Sequence, residues 1–440
     1  MSEADLMNGA QPRSVTHVTK QAGFTAKLKR RHAAEARFRF YGIAAIAVAI
    51  CFLVVLFVSI ISQGYTAFTQ SMIRLEATFD PEVIDPSGQR DPTALMTADY
   101  DQIARDALRK QITVGSAAER RKSNALLSRG APIELRDMVL ADPSIIGTTR
   151  TVWVPAHGDV DALIKGQISR DLPQEQRRLD DQQTAWVDQL AASGALERRF
   201  NWALFTSGAS SNPELAGIGV AIVGSAYMML IVLLLALPIG VLAAVYLEEF
   251  AKRNRWTDLI EVNINNLAAV PSIVFGLLGL AVFINFFGLP RSAPLVGGLV
   301  LTLLTLPTII ISTRASIRAV PPSIKQAALG LGASRMQAMF HHTLPLAAPG
   351  ILTGTILGLA HALGETAPLL MIGMVAFVVG YPATPVDPAT ALPVQIYMWS
   401  GAAERGFVER TSAGIIVLLV FLIIMNSAAV WLRRKFERRW

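Results

Sequence analysis

The sequence holds one cysteine, Cys51, in 440 residues. No disulfide can form within the chain, and no cysteine cluster is available to a zinc or iron–sulfur site. Cys51 falls inside an apolar run and reads as a small packing residue. Charge is scarce as well: 17% of the residues are Asp, Glu, Lys or Arg, against 52% hydrophobic. Ordinary soluble domains carry about a quarter charged residues, so that class is excluded. The common catalytic signatures are missing too. No G-x-x-x-x-G-K-[ST] occurs, so ATP hydrolysis is expected on a different chain. No H-E-x-x-H, nucleophile elbow or metal-ligand spacing is present, and no cofactor or metal is implied. No internal repeat divides the chain into halves, which argues against a two-repeat secondary transporter.

Long apolar runs are what the chain does have. A helix needs about 20 apolar residues to cross a hydrocarbon core of about 30 Å. Six runs meet that length: 41–62, 218–246, 259–287 with polar interruptions, 295–313, 351–379 and 412–432. Several are longer than the bilayer requires, so tilts or kinks are expected. Pro238, Pro271, Pro307 and Pro368 are the candidate kink positions. The first run is read as a retained span, because it is long, starts at 41 and lacks a small-x-small cleavage site. The membrane part must be helical, since unpaired backbone groups in lipid cost too much.

Net charge is +7, and its distribution argues against nucleic acid. Lys and Arg crowd a basic tail over 1–40, the link near Lys252 and Arg253, the link from Arg314 to Arg335, and a basic C-terminus over 433–440. The alternate short links hold only Arg291, Arg405 and Arg410. The positive-inside rule therefore places both termini in the cytoplasm, with basic ends anchored to lipid headgroups. The tail is expected to lack fixed structure to about Thr25.

Residues 65–215 form a long hydrophilic segment on the far side of the first span, 41–62. Long loops translocate regardless of charge. "TADYDQIARDALRKQI" sets Ile103, Ala107 and Leu108 on one helical face. "TTRTVWVPAHGDVDALIKG" predicts a strand over 149–154, a turn, and a helix opened by Asp159. "QEQRRLDDQQTAWVDQLAASGAL" predicts a helix ending near Gly194. Together these read as a small α+β domain. His157 there reads as a surface loop residue rather than a metal ligand.

The most informative stretch is "QAALGLGASRMQAMFHHTLP", 326–345, a polar and helix-prone insert between two very apolar runs. Pro321 and Pro322 end one element, and Ser323 is placed to cap the next helix. Small residues Ala327, Ala328, Gly330 and Gly332 allow close approach to another surface. Gly332 permits a sharp turn between two short helices, and Leu344-Pro345 is expected to end the second. The plainer alternative is an ordinary amphipathic helix-turn-helix.

The order of Gln326-Ala327-Ala328, Gly332 and Leu344-Pro345 resembles the EAA loop of ABC-importer permeases. "ALPIGVLAAVYLEEF" (236–250), "NLAAVPSIVFGLLGL" (266–280) and "GETAPLLMIGMVAF" (364–377) look like the PstA family of phosphate-importer permeases. Gln326 stands where that family usually has Glu, and His342 where it has an apolar residue, so a salt bridge at Gln326 is not expected. The resemblance covers roughly 215–435. It implies an all-α polytopic membrane protein with six transmembrane helices, arranged as in type I ABC importers. The α+β domain, 65–215, is then an extracytoplasmic insert after the first helix, and 216–435 is the permease core, with its coupling loop at 320–345. It also implies partners: an ATP-binding subunit gripped through Gln326, Ala327, Ala328, Gly332, Leu344 and Pro345, a second permease chain, and an extracytoplasmic phosphate-binding protein. The site of action is the bacterial cytoplasmic membrane.

In the fifth run Gly350, Gly354 and Gly358 recur every four residues, a stripe for close helix packing. His361 and Glu365 lie one turn apart. Charge this deep in a span is costly and faces a partner or a water-filled path. One reading is a structural His–Glu bond between helices; the other is a polar lining of the substrate path. For hydrogen phosphate the donors would be His361, Arg314, Thr366, Asn265 and Asn266. Glu365 would accept from the anion's own proton and repel a fully deprotonated anion. The family often has arginine at His361; a histidine, with an ordinary pKa near 6.5, makes any anion contact weaker and pH-dependent. Arg314 is equally a snorkelling anchor, and Asn263, Asn265 and Asn266 can equally bond between helices. The rival functions are a permease for molybdate or sulfate, and a non-transporting membrane scaffold or sensor coupled to a cytoplasmic ATPase.

Overall fold

The computed structural model describes residues 15–436 apart from 172, 175 and 176, so the first fourteen residues of the tail and the last four of the C-terminus lie outside it. The chain divides into Met1–Ile60 and Ile61–Trp440. The described residues of the first unit all lie in one helix, α1 (Val15–Gly64). Helix therefore begins well before Thr25, and the predicted span 41–62 is only its apolar half. A window of this helix qualifies as a membrane span with none of it buried by protein. Large apolar side chains such as Phe52 and Val55 stand exposed, as lipid-facing residues do.

The second unit opens with a three-stranded antiparallel sheet of order β2-β1-β3. The strands are β1 (Thr69–Thr78), β2 (Thr149–Pro155) and β3 (Leu196–Phe200). The central β1 alternates: Ile73, Leu75 and Ala77 are fully buried, whereas Arg74, Glu76 and Thr78 are exposed. Met72 pairs with Pro155 on one side and Glu197 on the other. The helices of this region include α2 (Tyr100–Arg109), α3 (Ala131–Ala141), α4 (Gly158–Ile164) and α5 (Asp181–Ala192). Their apolar faces meet the sheet in one core around Phe79, Leu108, Leu126, Leu135 and Leu190. Ile103, Ala107 and Leu108 are buried there as their spacing predicts. Helix α4 is opened by His157, not Asp159: its Nδ1 accepts the Asp159 backbone N–H at 3.2 Å. Helix α5 ends at Ala192, and Gly194 turns the chain at φ +68°.

The rest is helical: α6 (Gly219–Val245), α7 (Arg255–Ala268), α8 (Ser272–Leu278), α9 (Pro294–Ala319), α10 (Pro322–Gly330), α11 (Leu344–Gly364), α12 (Ala367–Met371), α13 (Leu392–Ser400) and α14 (Gly406–Phe436). Among the described residues five helices can cross a membrane, or six if α7 and α8 count as one span bent by 106°. The expected span 259–287 is thus broken. Pro271 lacks an amide hydrogen and excludes helical geometry from the residue before it, so the turn of α7 cannot continue. The expected span 351–379 is corrected at both ends. Its helix is already continuous from Arg335 and stops at Gly364, where Glu365 adopts extended backbone (ψ 121°) ahead of Pro368. Pro238 and Pro307 sit inside α6 and α9 without ending them.

Helices α9 and α11 run antiparallel along the glycine stripe. A β-carbon on Gly350 would lie 2.3 Å from Ser316 Oγ, and one on Gly354 2.0 Å from Ser312 Oγ. Gly358 is looser, 3.7 Å from Ile309.

Candidate functional site

The segment between α9 and α11 folds into an elbow. Pro321 and Pro322 start α10; Ser323 lies inside its first turn and caps nothing. At the far end the Ala333 N–H reaches the Ala328 carbonyl (3.1 Å) and the Gly332 N–H that of Leu329 (3.0 Å). This pair of bonds is a Schellman close, which demands a left-handed residue at Gly332, found at φ +89°. The chain restarts at Ser334, whose Oγ accepts the Gln337 N–H while Gln337 Oε1 accepts the Ser334 N–H. A wide π turn over Ala338–Thr343 then leads directly into α11. Leu344 and Pro345 therefore lie within a continuous helix rather than at its end. The wide turn lets the helix accept Pro345, whose ring would otherwise press on the carbonyl four residues back.

The elbow has two faces. Ala328, Ala338 and Met339 are buried, and Met339 packs with Val245, Ile317, Val320, Ala347 and Ile351 from α6, α9 and α11. Gln326, Ala327 and Gly332 are exposed, and Leu331 is 91% exposed at the tip.

Ion pairs brace this elbow. Lys325, beside Gln326, holds Glu249 at 2.7 Å, and the Glu249 side chain is 6% exposed. Arg318 holds Glu248 at 2.7 Å, and Arg314 spans Glu248 (3.3 Å) and Glu261 (2.6 Å). These three acids are the functional residues that sequence reasoning missed. Two of them, Glu248 and Glu249, carried a signal in the "LEEF" that follows the span 218–246; Glu261 carried none. Arg314 is thus engaged by carboxylates.

His361 Nε2 and Glu365 Oε1 stand 3.2 Å apart, with the Glu365 side chain mostly buried. They meet as their spacing predicts, although Glu365 has already left α11. Thr366 is half-buried beside it, ahead of the proline-started α12. Gly276 of α8 packs on Pro368 of α12, within 2.7 Å for an added β-carbon, so two short helices that each follow a break touch. Asn265 and Asn266 lie exposed on α7, and Asn263 bonds the Leu259 carbonyl of its own helix. Arg314 does not join this group. In the α9–α11 packing Gly358, three residues before His361, lies against Thr305, which is nine residues, or about 14 Å along a helix, from Arg314.

The family model "Binding-protein-dependent transport system inner membrane component" matches 236–440, which includes the elbow, α11 and α14. The probable ABC transporter permease protein YqgI of Bacillus subtilis (strain 168) is 33% identical over 230 residues, covering 49% of this chain and 77% of that protein. The phosphate transport system permease protein PstA of Xylella fastidiosa (strain Temecula1) is 30% identical over 235 residues, 53% of this chain and 80% of that one. The chain belongs to the PstA family of ABC-importer permeases. It is a membrane-spanning permease subunit of an importer, embedded in the inner membrane. PstA of Haemophilus influenzae aligns at 29% over 223 residues, covering 51% of this chain and 78% of its own. A domain of unknown function, DUF3333, matches 25–174, across α1 and much of the sheet region. Among solved structures a chain of the inward-facing MetNI methionine ABC transporter overlays at TM-score 0.39 and 16% identity, over 50% of this chain and 95% of that one.

Proposed function

We propose that this PstA-family permease admits inorganic phosphate across the bacterial cytoplasmic membrane, driven by a separate ATP-binding subunit seated on the 320–345 elbow. The observation that carries the reading is the elbow itself: a Schellman-closed turn with an exposed Leu331, tied through Lys325 to a nearly buried Glu249. A rigid, braced knob of this kind passes a push from a partner into α6, α9 and α11 without absorbing it, and the bundle tilts as a body. Gln326, Ala327, Ala328 and Gly332 would meet the ATPase, while Leu344 and Pro345 carry the motion into α11. A second permease chain and an extracytoplasmic phosphate-binding protein complete the machine. The basic ends support cytoplasmic termini, with 65–215 outside.

Relatives named as phosphate permeases support the cargo. His361, Glu365 and Thr366, beside the touching short helices α8 and α12, are our candidates for the path, with Asn265 and Asn266 on its α7 side. Glu365 would accept a hydrogen bond from the proton of hydrogen phosphate, which sulfate lacks. Arg314 would reach the anion only after leaving Glu248 or Glu261. The test is uptake of radiolabelled phosphate in cells lacking the chain and in cells where it is restored. Uptake restored with the chain, and blocked by unlabelled phosphate but not by molybdate or sulfate, supports the reading. Preferential block by either competitor reassigns the cargo, and unchanged uptake overturns transport.

A further inference from the structure

Helix α7 runs for 14 residues without burying one of them. At 3.6 residues per turn Trp256, Ile260, Asn263 and Leu267 share one face, with Leu259 beside them. Trp256 is 75% exposed, and Leu259, Ile260 and Leu267 are exposed with it. The amide on this face is not free: Asn263 Nδ2 donates to the Leu259 carbonyl of its own helix at 2.7 Å. Asp258 and Asn265 stand on the opposite face. The helix is therefore amphipathic, and its apolar side is left open among the described residues.

The rest of the fold sets the level at which this face lies. Glu261 receives Arg314, near the end of α9, and the same guanidinium reaches Glu248, just past the end of α6. Ile264 joins the apolar cluster of Ala244, Leu247 and Ile310. Helix α7 is thus pinned where α6 and α9 end, in the layer of the elbow. The helix that follows, 272–286, carries no charge and places Phe275 and Ile284 in the bundle core. Its axis is bent by 106° from that of α7. With 272–286 standing in the bundle across the bilayer, α7 lies nearly flat at the membrane surface.

Free cations stand beside the apolar face. Lys252, Arg253 and Arg255 are exposed at the start of α7 and join no ion pair among the described residues. The acids nearest them in the fold are taken: Glu248, Glu249 and Glu261 hold Arg314, Arg318 and Lys325. Asn254 caps the helix by accepting the Thr257 N–H at 2.9 Å, and Thr257 Oγ1 donates to the Lys252 carbonyl at 2.8 Å. The cations are therefore held against the first turn. We propose that α7 is a surface anchor, its Trp256, Ile260 and Leu267 sunk among acyl chains and Lys252, Arg253 and Arg255 on the headgroups of anionic lipid. An apolar stripe with a tryptophan, next to unpaired cations, complements acyl chains under negative headgroups. Through Glu261 and Arg314 the anchor holds the layer of the elbow to the membrane. Only the choice of leaflet rests on the proposed cytoplasmic side of this link; the lipid contact does not.

The test uses the full chain with Cys51→Ser, purified with its partner chains into nanodiscs of phosphatidylcholine and phosphatidylglycerol. Bimane is attached at Trp256→Cys, Ile260→Cys or Asp258→Cys, and quenching by nitroxide-labelled lipid is measured. Quenching at Trp256→Cys and Ile260→Cys should be about threefold that at Asp258→Cys, because only the first two face the acyl chains. Changing Lys252, Arg253 and Arg255 together to Gln should lower the co-purifying phosphatidylglycerol by about half. Equal quenching on the two faces overturns the proposal, and so does phosphatidylglycerol retained equally by the triple variant. Weak quenching at Trp256→Cys with cross-linking to another chain makes the face a protein contact and likewise overturns it. A membrane-impermeant maleimide on Arg253→Cys in intact cells reads the leaflet separately: labelling from outside overturns the orientation and leaves the lipid contact standing. Should Trp256→Cys fail to fold, Ile260→Cys decides on the same criteria.

Discussion

Gly332 bears a sharp local demand. Its φ of +89° costs an ordinary L-residue about 1–2 kcal/mol, although open space surrounds it. Replacing it with Val should leave the chain in the membrane at near-normal abundance while phosphate uptake falls at least tenfold. Normal uptake would mean that the turn does not serve coupling. Glu365→Gln should cut uptake while the transporter still purifies as an intact complex, measured by uptake alongside pull-down. Uptake unchanged from wild type would leave the His361–Glu365 contact as mere structure. Both residues were legible in sequence, because a glycine in a short polar link and a carboxylate in an apolar run are local anomalies. The acids at Glu248, Glu249 and Glu261 were not, since each finds its cation between 53 and 76 residues away. Nothing in a linear reading pairs them.

Among the elements, α9 and α11 depend on small residues at their contact. Gly354→Ala sets a methyl 2.0 Å from Ser312 Oγ and should cost about 1–3 kcal/mol through overpacking. A companion Ser312→Gly should recover part of that loss in thermal unfolding, and strict additivity of the two would refute the contact. Helix α5 offers a pH test. The Asp180 carboxyl titrates below its ordinary 3.8: burial alone would raise it, but the bond from Lys122 and the Gln183 N–H at the helix start outweigh that. A depressed folded value means that its stabilisation is complete above about pH 4 and is lost as pH falls through the folded value. The Asp180→Ala variant should melt earlier at neutral pH, by about 1 kcal/mol for a lost cap, and the gap to wild type should close in acid. Element type was readable where period and caps agree, as in α2, β2 and α5. Element continuity was not. Apolar composition runs straight through the Pro271 break and past Gly364, and it gave no warning that helix continues through Pro345. The strand β1 alternates clearly, yet its partner β3 reads "LERRF", an exposed edge with no apolar period.

Across the whole molecule, the elbow is joined to the bundle at two levels, by the apolar packing of Met339 and by the Lys325–Glu249 bridge. Glu249→Gln should therefore loosen coupling without unfolding the bundle: ATP hydrolysis by the assembled transporter would continue while uptake per ATP falls. A parallel fall of both activities would point to lost assembly instead. The permease half was legible because membrane spans and the 326–345 spacing are carried by composition and order. The 65–215 region was legible only as α+β, because its sheet closes over more than a hundred residues between β1 and β3. The central claim, that a separate ATP-binding chain drives this bundle through the elbow, has a direct measurement. With Cys51 replaced by Ser, a lone cysteine at Leu331 is cross-linked in membranes that contain the whole transporter. The account predicts a product containing the ATP-binding chain, with a yield that changes when ATP is added. A Leu331→Cys site that labels readily with a maleimide yet never captures an ATP-binding chain would contradict it.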